Sequence, residues 1–146
     1  MNNRYYANVQ GPIAEAIVAC LKKANEICAK DTDINRIVLY SYTKNNFETV
    51  ARIFGPENVN RMLKQPLRFK GIAKLVQCLT ERTYSDGSQQ SCVVICCHMD
   101  SKAVQKVDDF SSAKYIMAIS WLKDGIADWV KRWNAEYLYG DEIQDM

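Results

Sequence analysis

Three short apolar runs predict the strands of a sheet. They lie in residues 36–42, 91–97 and 115–119, and polar residues bound each run at strand length. The middle run contains three successive β-branched residues and does not alternate between apolar and polar positions. This pattern is typical of a strand covered on both faces, as in a parallel sheet flanked by helices.

Apolar residues at helical spacing predict an amphipathic helix near each end of the chain. The first occupies residues 12–29, where Pro12 suits the first turn. The second occupies residues 121–138, where the spaced apolar positions are Ile126, Trp129, Val130, Trp133 and Tyr137. Each apolar face needs a surface to cover, and a sheet is the simplest one.

The three apolar runs share one arrangement, in which a strand leads through a polar step into a helical pattern. About twenty residues separate the second and third runs, enough for one helix and a right-handed parallel crossover. The predicted fold is a small three-layer α/β domain with a mainly parallel sheet, Rossmann-like or flavodoxin-like. Its 146 residues correspond to one domain, and we expect residues 1–10 and 140–146 to be frayed.

Residues 67–84 are compatible with two structures. Ile72, Leu75, Val76 and Leu79 fit a helix, which we favour, whereas Leu75, Gln77 and Leu79 also alternate as in a strand. The Ser-Asp-Gly-Ser turn signal that follows would suit an edge strand folding back against the central strand.

Composition limits the classes of partner. The net charge is only +2 and the basic residues are scattered, so a nucleic-acid partner is not supported. No apolar run has the length of a membrane span, and no secretion signal precedes the first helix, which predicts a soluble cytoplasmic protein. The six cysteines form no C-x-x-C pair and lie within apolar patterns, so we expect reduced, buried thiols.

Polar residues follow each predicted strand, and parallel strands would bring them to one edge of the sheet. A crevice there is the expected binding site. Lysine side chains and helix amino termini at this edge favour a small anionic ligand, although the loops lack the glycines of a dinucleotide or P-loop site. The predicted ligand-binding residues are Lys44, Asn45, Asn46, Asp100, Ser101, Lys102 and Ser120.

His98 is the only histidine, so any histidine-dependent proton transfer would use it. Cys96 would share its face of the strand, but an apolar strand raises the pKa of a thiol, which opposes nucleophilic catalysis. A metal site is not favoured because no second ligand pair has the usual spacing, and no cofactor is specified. A binding or interaction module is therefore the favoured function, and the alternative is a small enzyme with His98 as general acid or base.

The aromatic residues of the last predicted helix suggest self-association. Trp129 and Trp133 are four residues apart and would be neighbours on its apolar face. A face of this width would exceed what a small sheet can cover, and pairing with a second copy would bury the surplus. We therefore expect a homo-oligomer, and a partner protein would fit the same surface.

Overall fold

The computed structural model describes residues 3–86 and 90–143 of the chain, and these form one sheet with helices on both faces. The strands are β1 (Arg4–Asn8), β2 (Arg36–Ser41), β3 (Leu75–Thr80), β4 (Cys92–Cys96), β5 (Ala113–Ile119) and β6 (Glu136–Gly140). The helices are α1 (Ala14–Lys30), α2 (Glu48–Phe54), α3 (Pro56–Met62), α4 (Ser101–Val107) and α5 (Ala127–Trp133), and a 3-10 helix spans Lys44–Asn46.

The sheet has six strands in the order β3-β2-β4-β5-β1-β6, and every pairing between neighbouring strands is parallel. This confirms the predicted α/β fold class. Parallel neighbours require crossovers, and α1, α2 with α3, α4, and α5 each lie in the connection between two strands. The connection from β3 to β4 passes β2 without a described helix.

Two apolar clusters form the core, one on each face of the sheet. Successive residues of β2 point alternately into the two clusters. Ile37 and Leu39 belong to the cluster covered by α1, α2 and α3. Val38 and Tyr40 join the cluster covered by α4 and α5. Because both faces of β2 and β4 are covered, their sequences read as continuous apolar runs, which is why these strands were predictable.

The expectation that residues 1–10 fray is wrong for β1, which lies between β5 and β6 inside the sheet. Its Tyr5, Tyr6 and Ala7 side chains are buried. The strand is short and carries two tyrosines and flanking polar residues, so its sequence alone resembles a terminal extension. Pairing on both sides supplies the ladder of hydrogen bonds that holds it.

The favoured helix over residues 67–84 is also wrong, because Leu75–Thr80 form β3. The strand alternative is correct in placing it at an edge, but β3 pairs in parallel with β2 and does not fold back onto β4. The Arg36 guanidinium of β2 donates a hydrogen bond to the side-chain oxygen of Gln77 in β3 at 2.6 Å. Such cross-strand partners are distant in sequence, which explains why the local pattern favoured a helix.

At the other end of the chain, the predicted helix over residues 121–138 is shorter than expected. Helix α5 ends at Trp133, where Asn134 takes a left-handed conformation, and Glu136–Gly140 form β6 at the sheet edge. Tyr137 therefore belongs to a strand. The expected fraying of residues 140–146 does not apply to Gly140 in β6, and the Ile143 amide donates to the Tyr6 hydroxyl oxygen at 2.9 Å. Residues 144–146 lie outside the described part.

All six cysteines are free thiols and all are buried, as their apolar surroundings predict. Burial raises the pKa of Cys20 and of Cys78 to about 12. Among the described residues, no helix combines the length and apolar character needed to cross a membrane.

Candidate functional site

The connections that follow β2 and β4 leave the sheet toward opposite faces. Helix α2 packs into one apolar cluster through Val50, whereas α4 packs into the other through Ala103 and Val104. A crevice opens where neighbouring loops diverge in this way, beyond the carboxyl ends of the strands. This strand-end crevice has a volume of about 460 Å³ and is lined by Pro12, Tyr42, Asn45, Asn46, Glu48, Thr49, His98, Met99, Asp100, Trp121, Leu122 and Gly125.

His98 is held at the floor of the strand-end crevice by the two strands beside it. The Cys97 amide donates to the Tyr40 carbonyl oxygen at 2.8 Å, and the Met99 amide donates to the Ile119 carbonyl oxygen at 2.9 Å. Between these two anchors His98 takes a left-handed backbone conformation, with φ of 58°. Histidine tolerates this region better than bulky or β-branched residues do. The turn ends the regular alternation of the strand at this position.

Among the described residues, one nitrogen of the His98 ring has a hydrogen-bond partner and the other has none. Nδ1 lies 3.0 Å from the carbonyl oxygen of Ser120. Because a carbonyl can only accept, Nδ1 carries the proton, and Nε2 of the neutral ring presents a lone pair. Within the described part of the chain, Nε2 is buried and has no hydrogen-bond partner. Burial lowers the pKa of His98, although the bond to Ser120 opposes the change, and this favours the neutral ring.

Two large apolar side chains stand at the rim of the strand-end crevice. Trp121 is 49% exposed and Leu122 is 59% exposed. The Trp121 ring meets the His98 ring edge to face, with centroids 5.5 Å apart. Exposed side chains of this size beside a buried polar group are typical of a binding site. An apolar part of a ligand can pack on the exposed side chains while a polar part forms a hydrogen bond with the buried group.

The charged side chains among the described residues that line the crevice are carboxylates, those of Glu48 and Asp100. Asp100 is fixed in place because its side chain accepts from the Ala103 amide at 2.9 Å and caps α4. The amide of Asp100 donates to the Tyr42 hydroxyl oxygen at 3.3 Å. Glu48 lies in the first turn of α2 and is exposed.

The structure brings together four of the predicted site residues. His98, Asn45, Asn46 and Asp100 line the strand-end crevice. Asn46 also has a local role, because its side-chain oxygen accepts from the Thr43 amide at 3.1 Å and from the Thr43 hydroxyl at 2.8 Å.

Two predicted serines are occupied by bonds within the protein. Ser120 is fully buried, and its hydroxyl donates to the Val9 carbonyl oxygen at 2.6 Å and accepts from the Val9 amide at 2.8 Å. The hydroxyl of Ser101 donates to the Gly125 carbonyl oxygen at 3.3 Å and accepts from the Trp129 amide at 3.2 Å. Neither serine lines the crevice, and Ser120 acts on the site through its carbonyl bond to His98.

The two predicted lysines do not line the crevice either. Lys44 is exposed on the 3-10 helix, and Lys102 borders a separate groove with Lys106, Arg132 and Trp133. The cationic side chains expected to hold an anionic ligand therefore lie elsewhere. Sequence reasoning also missed Tyr42, Glu48 and Leu122. Two of the three had a signal in the sequence, since Tyr42 follows β2 and Leu122 follows β5 within three residues of the strand ends.

The remaining candidate chemistries are not assembled. Cys96 is fully buried, and burial raises its pKa, so the thiolate needed for nucleophilic attack is disfavoured. Among the described residues, no three His, Cys, Asp or Glu side chains lie close enough together to hold a metal ion.

The expected interface residues lie within their own chain. Trp129 is fully buried in the core, and its Nε1 donates to Asp108 Oδ2 at 2.9 Å, so its assignment to an interface is wrong. Trp133 is partly buried, and the Arg4 guanidinium lies 3.6 Å from the centre of its ring. The expected self-association thus loses the exposed aromatic face on which it was based.

Comparison with protein-family models, with curated proteins and with solved structures finds no match to this chain. Function is inferred from the residues of the crevice, because α/β folds of this kind carry many unrelated activities.

Proposed function

We propose that the protein is a small-molecule-binding module whose ligand occupies the strand-end crevice and donates a hydrogen bond to Nε2 of His98. The observation that carries the proposal is the unsatisfied state of this nitrogen in an otherwise anchored ring. A buried polar atom without a partner costs about 1–3 kcal/mol, and a ligand donor would recover part of that cost.

The dimensions and lining of the crevice support the same proposal. Its volume of about 460 Å³ matches the range of small-molecule pockets, which is roughly 300–1,000 Å³. Trp121 and Leu122 provide apolar surface, whereas Asn45 and Asp100 provide polar groups that can fix the orientation of a ligand. A mixture of this kind suits one small organic molecule better than an extended polymer.

Nuclear magnetic resonance of ring-labelled histidine tests the proposal directly, because His98 is the only histidine and gives one set of ring signals. We expect 2-phenylethanol, which has a ring and one hydroxyl donor, to shift the Nε2 signal of His98 and the indole signal of Trp121 together. His98→Asn retains a residue that tolerates the left-handed backbone and should weaken binding at least fivefold.

A surface control separates site binding from general effects. Glu57→Gln changes an exposed residue of α3 that does not line the crevice, and it should leave the affinity unchanged. Equal affinity of the wild type and His98→Asn would contradict the role of His98. A shift of the Trp121 indole signal without a shift of the His98 Nε2 signal would also contradict it.

The second candidate is a small enzyme in which His98 acts as general base. The neutral ring with a lowered pKa, whose Nε2 has no partner within the described part of the chain, supports it, since a base must be unprotonated to accept a proton. A simple test is the hydrolysis of p-nitrophenyl acetate by the wild type and by His98→Asn. A rate that rises with pH through the His98 titration and is lost in the variant supports general-base catalysis, whereas equal rates exclude it for this ester.

A further inference from the structure

We infer that the ligand of the strand-end crevice is a positively charged organic amine that carries a flat ring. The inference rests on the proposed function and specifies its ligand class. Three independent features of the crevice agree on this class: the sign of its charges, the hydrogen-bonding state of His98 and the exposed aromatic ring at its rim.

The first feature is the charge of the lining. Glu48 and Asp100 contribute two carboxylates, and none of the described lining residues is a lysine or arginine. Carboxylates repel an anion, so a phosphate or carboxylate ligand would have to approach two like charges. The Arg52 guanidinium, which donates to the Pro12 carbonyl oxygen at 3.2 Å, does not itself line the crevice. An ammonium group would be attracted by both carboxylates. A cationic ligand has the opposite charge to the anionic ligand that the sequence predicted from Lys44 and Lys102.

The second feature is the acceptor character of the floor. His98 is 8% exposed, and with Nδ1 protonated toward Ser120 its Nε2 can only accept. A ligand that reaches this buried nitrogen can bond it only through an N–H or O–H donor. Because burial favours the neutral ring, His98 adds no positive charge that would oppose a cation. Nε2 of His98 and the two carboxylates are all hydrogen-bond acceptors, so they favour a ligand that carries hydrogen-bond donors.

The third feature is aromatic. The ring of Trp121 is half exposed, and the edge-to-face contact with His98 fixes it beside the floor. The face of an indole attracts cations and stacks with flat rings. Tyr42 contributes a second aromatic ring to the lining. A molecule with a ring on Trp121 and an ammonium group near Asp100 would use all three features.

A matched series of probes tests the charge inference. Phenethylamine, 2-phenylethanol and phenylacetate share a benzyl group and differ in carrying a cation, a neutral donor or an anion at pH 7.5. We expect phenethylamine to bind at least tenfold more tightly than 2-phenylethanol, and phenylacetate to bind most weakly. The ring signals of His98 and the indole signal of Trp121 report binding at the crevice itself.

Variants assign the selectivity to the two carboxylates. Glu48→Gln and Asp100→Asn each remove one charge with little change in shape, and asparagine preserves the cap of α4. Each should reduce the preference for phenethylamine over 2-phenylethanol at least twofold. Asp33→Asn is the matched control. Asp33 is exposed and precedes β2, so it lies near the amino-terminal ends of the strands, whereas the crevice lies beyond their carboxyl ends. It should leave the preference unchanged.

The outcomes separate the two levels of inference. If 2-phenylethanol or phenylacetate binds as tightly as phenethylamine and shifts His98, the amine class is refuted while the crevice remains a binding site. If the amine is preferred but both carboxylate variants retain the full preference, the assigned charges are wrong and the inference fails. If none of the three probes shifts His98 at millimolar concentration, the proposed binding function fails with it.

Discussion

Nδ1 of His98 lies 3.0 Å from the carbonyl oxygen of Ser120 and joins the chain after β4 to the chain after β5. Ser120 is itself tied to β1, because its amide donates to the Ala7 carbonyl oxygen at 3.2 Å. Three strand ends thus determine the orientation of one imidazole. These bonds also orient Nε2 of that ring, which has no partner among the described residues.

We predict that the pKa of His98 lies below 6.5, its ordinary value, because burial disfavours the charged ring more than the Ser120 carbonyl favours it. A titration followed by the ring signals of this histidine measures it. The ring nitrogen signals should also show the neutral form protonated at Nδ1. A pKa at or above the ordinary value would contradict the prediction, as would a neutral form protonated at Nε2.

The lowered pKa has a consequence for stability. Just below pH 6.5, His98 binds a proton more readily in the unfolded chain than in the folded chain. Proton binding therefore stabilises the unfolded state and lowers the free energy of unfolding. The contribution of His98 is complete above its ordinary pKa and is lost as the pH falls toward its folded pKa. Urea unfolding of the wild type and of His98→Asn should therefore differ in pH dependence just below pH 6.5.

Ser120→Ala should destabilise the protein without releasing His98. The substitution removes the hydroxyl that bonds both the amide and the carbonyl of Val9, and it leaves a buried amide without its partner. We expect a loss of about 1–3 kcal/mol in the free energy of unfolding. The carbonyl that holds His98 is unchanged, so the ring signals should keep the same neutral form. A loss below about 0.5 kcal/mol would mean that water replaces the hydroxyl.

Strands β2, β4 and β5 are covered on both faces and were predictable because burial dictates their composition. β1 is covered in the same way, but its short run with two tyrosines was not recognised as a strand. Val93, Val94 and Ile95 need no partner to be identified as a strand. The same logic placed His98 and Asp100 at a strand end, and both line the crevice. Parallel topology converts such local patterns into a shared site, since it brings every carboxyl end to one edge.

The edge strands could not be predicted in this way. β3 and β6 are each paired on one side, and the burial of β6 is irregular along its length. Their pairing partners, β2 and β1, are far away in sequence, so the local pattern does not record the contact. The charge of the crevice was missed for a related reason. Lys102 follows β4 closely but projects from α4 toward another groove, and only the packing of α4 determines this direction.

Trp129→Phe should cost more stability than Trp133→Phe, although both replace an indole by a phenyl ring. Trp129 loses a hydrogen bond to Asp108, a carboxylate that also receives Arg4 Nε at 2.9 Å. The buried Nε1 of Trp133 has no acceptor among the described residues, so phenylalanine removes no bond there. A bond to a charged group is worth about 1.5–3 kcal/mol, and the difference between the variants should approach this range. Equal unfolding free energies would contradict the bond to Asp108.

Gly140 ends β6 and lies opposite Asn8 of β1. Its φ is +84°, and a Cβ built on it would overlap the backbone carbonyl oxygen of Asn8. Gly140→Ala therefore combines the backbone strain of a left-handed residue, about 1–2 kcal/mol, with a steric overlap that a backbone atom cannot avoid by rotating. Gly71→Ala is the matched control, because Gly71 has a φ of +86° and open space around its Cβ position.

The difference between the two glycine variants isolates the overlap from the strain. We expect Gly71→Ala to show the backbone cost alone, and Gly140→Ala to lose more unfolding free energy. Hydrogen exchange should locate that extra loss at β6, whose pairing with β1 includes the contact between Asn8 and Gly140. Faster exchange in β6 with unchanged exchange in β4 is the expected pattern, because the overlap displaces an edge strand and leaves the centre of the sheet paired. Equal losses for the two variants, or equal exchange in β6, would show that this edge strand is not seated against Asn8.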